Sequence, residues 1–173
     1  MGINWMIQEQ YWKELYQLKV HIGFIELLLE RAEYIDRMMK ITLAVSSSVS
    51  IGSWAIWSEF SYMWGAIIAL SQIISAINPF LPYSSRIKSY SSLLRELEEL
   101  MTQSEIKWYS ISEGRISFYE INKARFDIRK AKQKSIDKYI QTTIPSASKL
   151  QDKAEKFAGE YFYNFYFQQE ERS

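Results

Sequence analysis

The sequence predicts an all-α fold, and three observations predict it. Apolar residues recur at alternating spacings of three and four over long stretches, as on one face of a helix. No run alternates polar and apolar in the manner of a strand, and no repeat or long disordered linker interrupts the chain. Between Lys40 and Arg86 the only acidic or basic side chain is Glu59. The chain has 173 residues, about one folding unit, with 47% hydrophobic residues and a formal net charge of +1, so no global charge marks it as a nucleic-acid binder. It contains no cysteine, which removes disulfides, thiolate metal sites and thiol nucleophiles together.

The first element is a cytoplasmic helix within residues 1–40. Leu15, Leu18, Ile22, Ile25, Leu29 and Ala32 form one apolar seam, and no proline lies between Gln8 and Met39, so this helix is expected to run on into the next element. Gly23 is its weak point. The seam around Leu18, Ile22, Ile25 and Leu29 is the expected surface for assembly with other copies.

Residues 41–82 form the second element, a transmembrane hairpin. Two stretches, 41–57 and 62–81, each approach the roughly 20 residues that cross a hydrocarbon layer about 30 Å thick. The four residues 58–61 leave room only for a turn, so the spans run antiparallel and return to one side. Trp54, Trp57, Phe60, Tyr62 and Trp64 cluster there, as rings do at headgroup level, with Glu59 at the tip. Arg31, Arg37 and Lys40 on one flank and Arg86, Lys88 and Arg95 on the other put both flanks, and both termini, in the cytoplasm. A buried hairpin in a soluble bundle is the competing reading, but the flanks offer too little amphipathic helix to wrap it.

A helical cytoplasmic region, 83–173, completes the chain. Ile87, Tyr90, Leu94, Leu97 and Met101 repeat the three-four spacing, and this seam and the upstream one would bury each other. Gly114 suggests a break, Phe118 to Tyr139 is again helix-compatible, and Pro145 precedes a last helix from about Lys149 to Phe167, capped by Ser146 or Ser148. The aromatic tail of that helix, from Tyr161 to Phe167, must dock on something.

No catalytic constellation is legible. His21 is the single histidine and has no partner for metal or base chemistry, no phosphate loop or nucleophile elbow is present, and Glu96, Glu98 and Glu99 read as a solvated run. An enzyme, a metal site and a cofactor are therefore not expected. Polar residues within the spans are more informative. Ser46, Ser50 and Ser53 share a face of the first span; Ser71, Ser75 and Asn78, beside Gln72, share a face of the second. Such faces either pack helix against helix or line a wet path in an oligomer, since two helices cannot enclose a pore. Pro79 and Pro82 end the second span or hinge it. Farther on, Arg125, Arg129 and Lys132 share one helical face close to Tyr119 and Phe126, a combination that could hold phosphates while a ring stacks on a base. A solvated or headgroup-facing surface is the alternative reading of the same residues.

A short double span with a small outer turn, a helix before it and a longer helical region after it, beginning Leu93-Leu94-Arg95-Glu96-Leu97-Glu98-Glu99-Leu100, resembles the SLATT family. These are two-transmembrane effectors associated with nucleotide-signalling anti-phage systems of bacteria. The resemblance is one of architecture over most of the chain and carries no motif residues. It implies a homo-oligomeric ion channel or pore in the bacterial inner membrane, gated by a cyclic or linear oligonucleotide from a partner nucleotidyltransferase, which depolarises the cell and arrests growth. Duplex nucleic acid is not an expected partner. The alternative is a membrane-anchored scaffold or holin-like accessory without its own ligand.

Overall fold

The computed structural model describes residues 2–49, 61–77, 83–140, 144 and 146–167. Those residues are all helical apart from short connections: α1 is Gly2–Val49, α2 Ser61–Ile77, α3 Tyr83–Ser112, α4 Phe118–Tyr139 and α5 Ser148–Phe162, followed by a π-helical turn, Tyr163–Phe167. The fold class read from the periodicity is thus the one found, with no strand among the described residues.

The chain divides into two compact units. One comprises Met1–Leu29 and Lys88–Ser173, the other Glu30–Ile87. In the first unit the seams pack together as their spacing requires. Leu15, Leu18 and Ile25 from α1 share a core with Leu93, Leu97 and Met101 from α3, Ile121 and Ile128 from α4, and Ala154, Ala158 and Phe162 from α5. The first stretch of α1 touches all three other helices. Tyr11 donates its hydroxyl to the Ser104 carbonyl of α3 at 2.9 Å, and burial pushes its phenol up to about 12. Tyr16 donates to the Glu155 carbonyl of α5 at 3.1 Å.

Gly23, expected as a weak point, is instead a packing position: a methyl group placed there would meet the Ala154 Cβ at 3.6 Å, so the two small residues let α1 and α5 approach closely. The same burial revises the expected assembly surface. Leu18, Ile22 and Ile25 are buried within the chain itself and Leu29 is half-buried, so an oligomer would need another face.

Local chemistry explains where the helices stop. Gly114 adopts φ +72°, which a residue with a Cβ tolerates poorly, and the Gly114 and Arg115 amides donate back to the Ile111 and Ser110 carbonyls at 3.0 and 3.1 Å. Ser117 then starts α4 in a reciprocal cap: the Glu120 amide reaches the Ser117 hydroxyl at 3.4 Å, and the Ser117 amide reaches the Glu120 carboxylate at 3.0 Å. At α5 the expected serine cap is absent, because Ala147 occupies the cap position without a side-chain bond.

The aromatic tail docks inside the first unit. The Trp12 ring lies 4.9 Å from Phe162, 5.0 Å from Tyr166 and 5.0 Å from Trp108, a cluster drawn from α1, α3 and the C-terminal end. Tyr161 and Tyr166 both donate to the Glu105 carboxylate, at 2.8 and 3.3 Å. Residues five apart diverge around an ordinary helix, and the wider π turn brings the two hydroxyls to one oxygen. Burial and the Glu105 charge raise both phenols above their usual range.

In the second unit, α2 carries no ionisable acidic or basic residue, and of its described side chains only Ser71 and Ile74 are half-buried while the rest are exposed. Tyr62, Met63, Leu70 and Ile73 are each more than half exposed, as is Val45 of α1, and Ile41 of α1 is about half exposed. No helix of the described residues is long and apolar enough to cross a membrane. The residues joining α1 to α2, with Ser50, Ser53 and Glu59, lie outside the described residues, as do Asn78, Pro79 and Pro82.

Candidate functional site: the basic helix α4

Helix α4 carries seven basic and three acidic residues, and the 3.6-residue period sorts them by face. Ile121, Ala124 and Ile128 turn inward and are buried. Arg125 and Arg129, four apart, flank that apolar line and reach Gln10 and Glu14, also four apart, on α1. Arg125 donates to the Gln10 carbonyl oxygen, and Arg129 places two donors on one Glu14 oxygen, its Nε at 2.7 Å. Glu14 is one of two buried polar side chains among the described residues, so this pair neutralises a carboxylate that burial would otherwise penalise. The guanidinium is held charged above its usual range by that bond. Arg125 keeps one buried donor, Nε, without a protein acceptor.

Lys132 is half-buried next on the same face, and burial, partly offset by Glu14, lowers its pKa. His21 lies in the same field; burial first and the Lys132 charge second push it below the usual histidine value, so it is neutral at pH 7. The aromatic members of the expected group are on the solvent side: Tyr119 is 77% exposed and Phe126 56%. The Phe126 ring nevertheless lies under both guanidinium groups, 5.2 Å from Arg125 and 5.9 Å from Arg129, so the arginines link the inner and outer faces.

The five residues expected to bind a ligand are therefore gathered on one helix, but in two roles, with the cations turned to α1 and the rings turned out. The α1 partners Gln10 and Glu14 were missed by sequence reasoning. Their signal was the matching four-residue interval, which pairs with Arg125 and Arg129 when two helices lie side by side.

No family model, curated protein or solved structure matches the chain. The site must be read from its own residues.

Among the pore candidates, Ser71 donates its hydroxyl to the Ile67 carbonyl at 2.7 Å within α2, while Gln72 and Ser75 are exposed. Ser46 belongs to α1, but its side chain lies outside the described residues, as do Ser50, Ser53 and Asn78. No group of three or more residues able to hold a metal occurs among the described residues.

Proposed function

We propose that the chain is a membrane effector whose copies assemble through a two-helix hairpin into an ion channel or pore, with both termini cytoplasmic in a bacterial inner membrane. The observation that carries this reading is the exposure of α2. A helix without acidic or basic side chains that leaves Tyr62, Met63, Leu70 and Ile73 uncovered needs an apolar surrounding, and a bilayer supplies one. The single charge, Glu59, in the window 41–85 and the basic flanks on both sides favour the same orientation.

Gating by a nucleotide second messenger in anti-phage defence follows from the resemblance to the SLATT family, and the Arg125–Arg129 pair is where such a signal would act. A phosphate competing with Gln10 and Glu14 for the two guanidinium groups would loosen α4 from α1, and α1 is one continuous helix from Gly2 to Val49. Ion flux through liposomes holding the purified protein, with and without short cyclic and linear oligonucleotides, tests this. Flux that appears only with an oligonucleotide supports the reading; no flux under any condition overturns it.

A second reading, a membrane-anchored scaffold or holin-like accessory without a ligand, is favoured by one observation. Arg125 and Arg129 already have acceptors inside the chain, so a structural role accounts for most of their donors, the Arg125 Nε apart. Growth arrest on expression of the chain alone, without a signal-producing partner, would favour this reading.

A further inference from the structure

With Arg125, Arg129 and Lys132 turned toward α1, the outer side of α4 is left to a different set of residues. Tyr119, Lys123, Phe126, Lys130 and Lys134 recur at three and four along the exposed face, over about 22 Å at about 1.5 Å per residue. All five are exposed, and among the described residues no carboxylate lies within ion-pair distance of the three lysines. Asp127 and Asp137 are the acidic residues of the same exposed side, and Glu120 sits at the helix start, bound to Ser117. Phe126 is held on the helix surface by the two guanidinium groups, so presenting it costs little conformational entropy.

We infer that this outer face docks on the anionic surface of a bilayer, a reading that rests on the membrane assignment proposed above. Three features favour lipid headgroups over a nucleotide. The face is a straight stripe of side chains, suited to a plane. Its cations are lysines, point charges that suit a diffuse field of headgroups, whereas the forked arginines that recognise individual phosphates are engaged elsewhere. Its rings alternate with ammonium groups, so the rings can enter the headgroup layer while the lysine stems extend to the phosphates.

The absence of cysteine makes the test direct, since a single introduced thiol takes a fluorophore without competition. The full chain carrying Tyr119→Cys, and separately Leu70→Cys on α2, would be labelled and reconstituted into phosphatidylcholine vesicles with or without phosphatidylglycerol, each doped with a bromolipid quencher. The label at 119 is expected to be quenched only when phosphatidylglycerol is present. Changing Lys123, Lys130 and Lys134 to Gln should lower its docking equilibrium constant by about fivefold per lysine, on the order of a hundredfold together. Quenching at 119 that ignores phosphatidylglycerol, or none at all, overturns the inference while quenching at 70 preserves the membrane reading. Absence of quenching at 70 removes the membrane reading and this inference with it. A response at 119 in detergent to a short oligonucleotide, or to protein concentration alone, with none to anionic lipid, assigns the face to a nucleotide or to a second copy and equally overturns docking.

Discussion

Arg129 illustrates how one side chain can be read two ways from sequence and one way from its contacts. Its spacing with Arg125 and Lys132 suggests an open phosphate site, yet Arg129 compensates Glu14, a carboxylate only 10% exposed at its side chain. Because the guanidinium is itself 54% exposed, the pair is worth less than a fully enclosed one. Arg129→Met is expected to lower the midpoint of chemical denaturation, mainly by leaving the buried Glu14 acceptor unsatisfied. Adding Glu14→Met should recover most of that loss, and a double mutant whose loss equals the sum of the Arg129→Met and Glu14→Met losses would show that the pair contributes nothing. A triple replacement of Arg125, Arg129 and Lys132 would therefore perturb folding as well as any ligand response. Two other residues contribute to the pH response. Hydrogen bonds from Lys138 and Tyr139 hold the Glu96 carboxyl at about 2, so its contribution is present above its ordinary pKa and is lost as pH falls from about 4.5 toward 2. His21 has a lowered pKa, so the unfolded chain takes up its proton first and stability declines as pH falls below 6.5. Glu96→Gln should flatten the lower part of the acid limb and His21→Gln the upper part, each followed by unfolding midpoints across pH; unchanged midpoints in either would remove that group from the acid response.

At the scale of elements, much of the chain was legible because its signals are local. Gly114 marked a break and sits at φ +72°, and the helix expected from Phe118 to Tyr139 has those limits, since a capping box and a terminating glycine act within a few residues. What escaped was contact between distant segments. Nothing near Gly23 states that Ala154 lies opposite, so a glycine that weakens an isolated helix was read only as a weakness. The geometry makes opposite expectations for two substitutions. Gly23→Ala places its methyl at ordinary contact distance, 3.6 Å from Ala154 Cβ, and removes the entropic penalty of glycine, so it should stabilise by up to about 1 kcal/mol. Gly23→Leu pushes further atoms into α5 and should destabilise by about 1–3 kcal/mol. Thermal melts of the two variants decide it, and a tolerated leucine would mean that α1 and α5 do not approach so closely in solution. The tail teaches the same lesson. Its need for a partner was evident from seven residues rich in rings, but Trp12, Trp108 and Glu105 as that partner depend on the tertiary arrangement.

For the whole molecule, the decisive contrast is between two ways of satisfying side chains. The first unit buries a shared core drawn from all four of its helices and pairs the buried Glu14 with Arg129, although Trp5, Ile106, Tyr119 and Phe126 stay exposed. Among the described residues of the second unit, most apolar side chains of α2 remain uncovered, and on the reading proposed above a bilayer or further copies would cover them. Because the seam through Leu18, Ile22 and Ile25 is consumed inside the chain, the proposed assembly would form through the second unit. Its polar residues then become the test. Ser71 satisfies its hydroxyl on its own helix, through the Ile67 carbonyl, and so is tolerable in packing or pore alike. Gln72 is exposed on α2 and its side chain is too long to bond back in the same way, and Asn78, outside the described residues, carries an amide with the same chemical need. An unpartnered amide in hydrocarbon costs several kcal/mol, so if the second span crosses a bilayer as proposed, these two would meet either another subunit or water. Gln72→Leu and Asn78→Leu separate those fates. If the amides join subunits, each variant should lose the oligomer in native gels of the solubilised protein. If they line a wet path, the oligomer should persist while ion flux through liposomes falls. Variants that assemble and conduct like the parent would remove the second span from the path and make the first-span face of Ser46, Ser50 and Ser53 the better candidate for its lining.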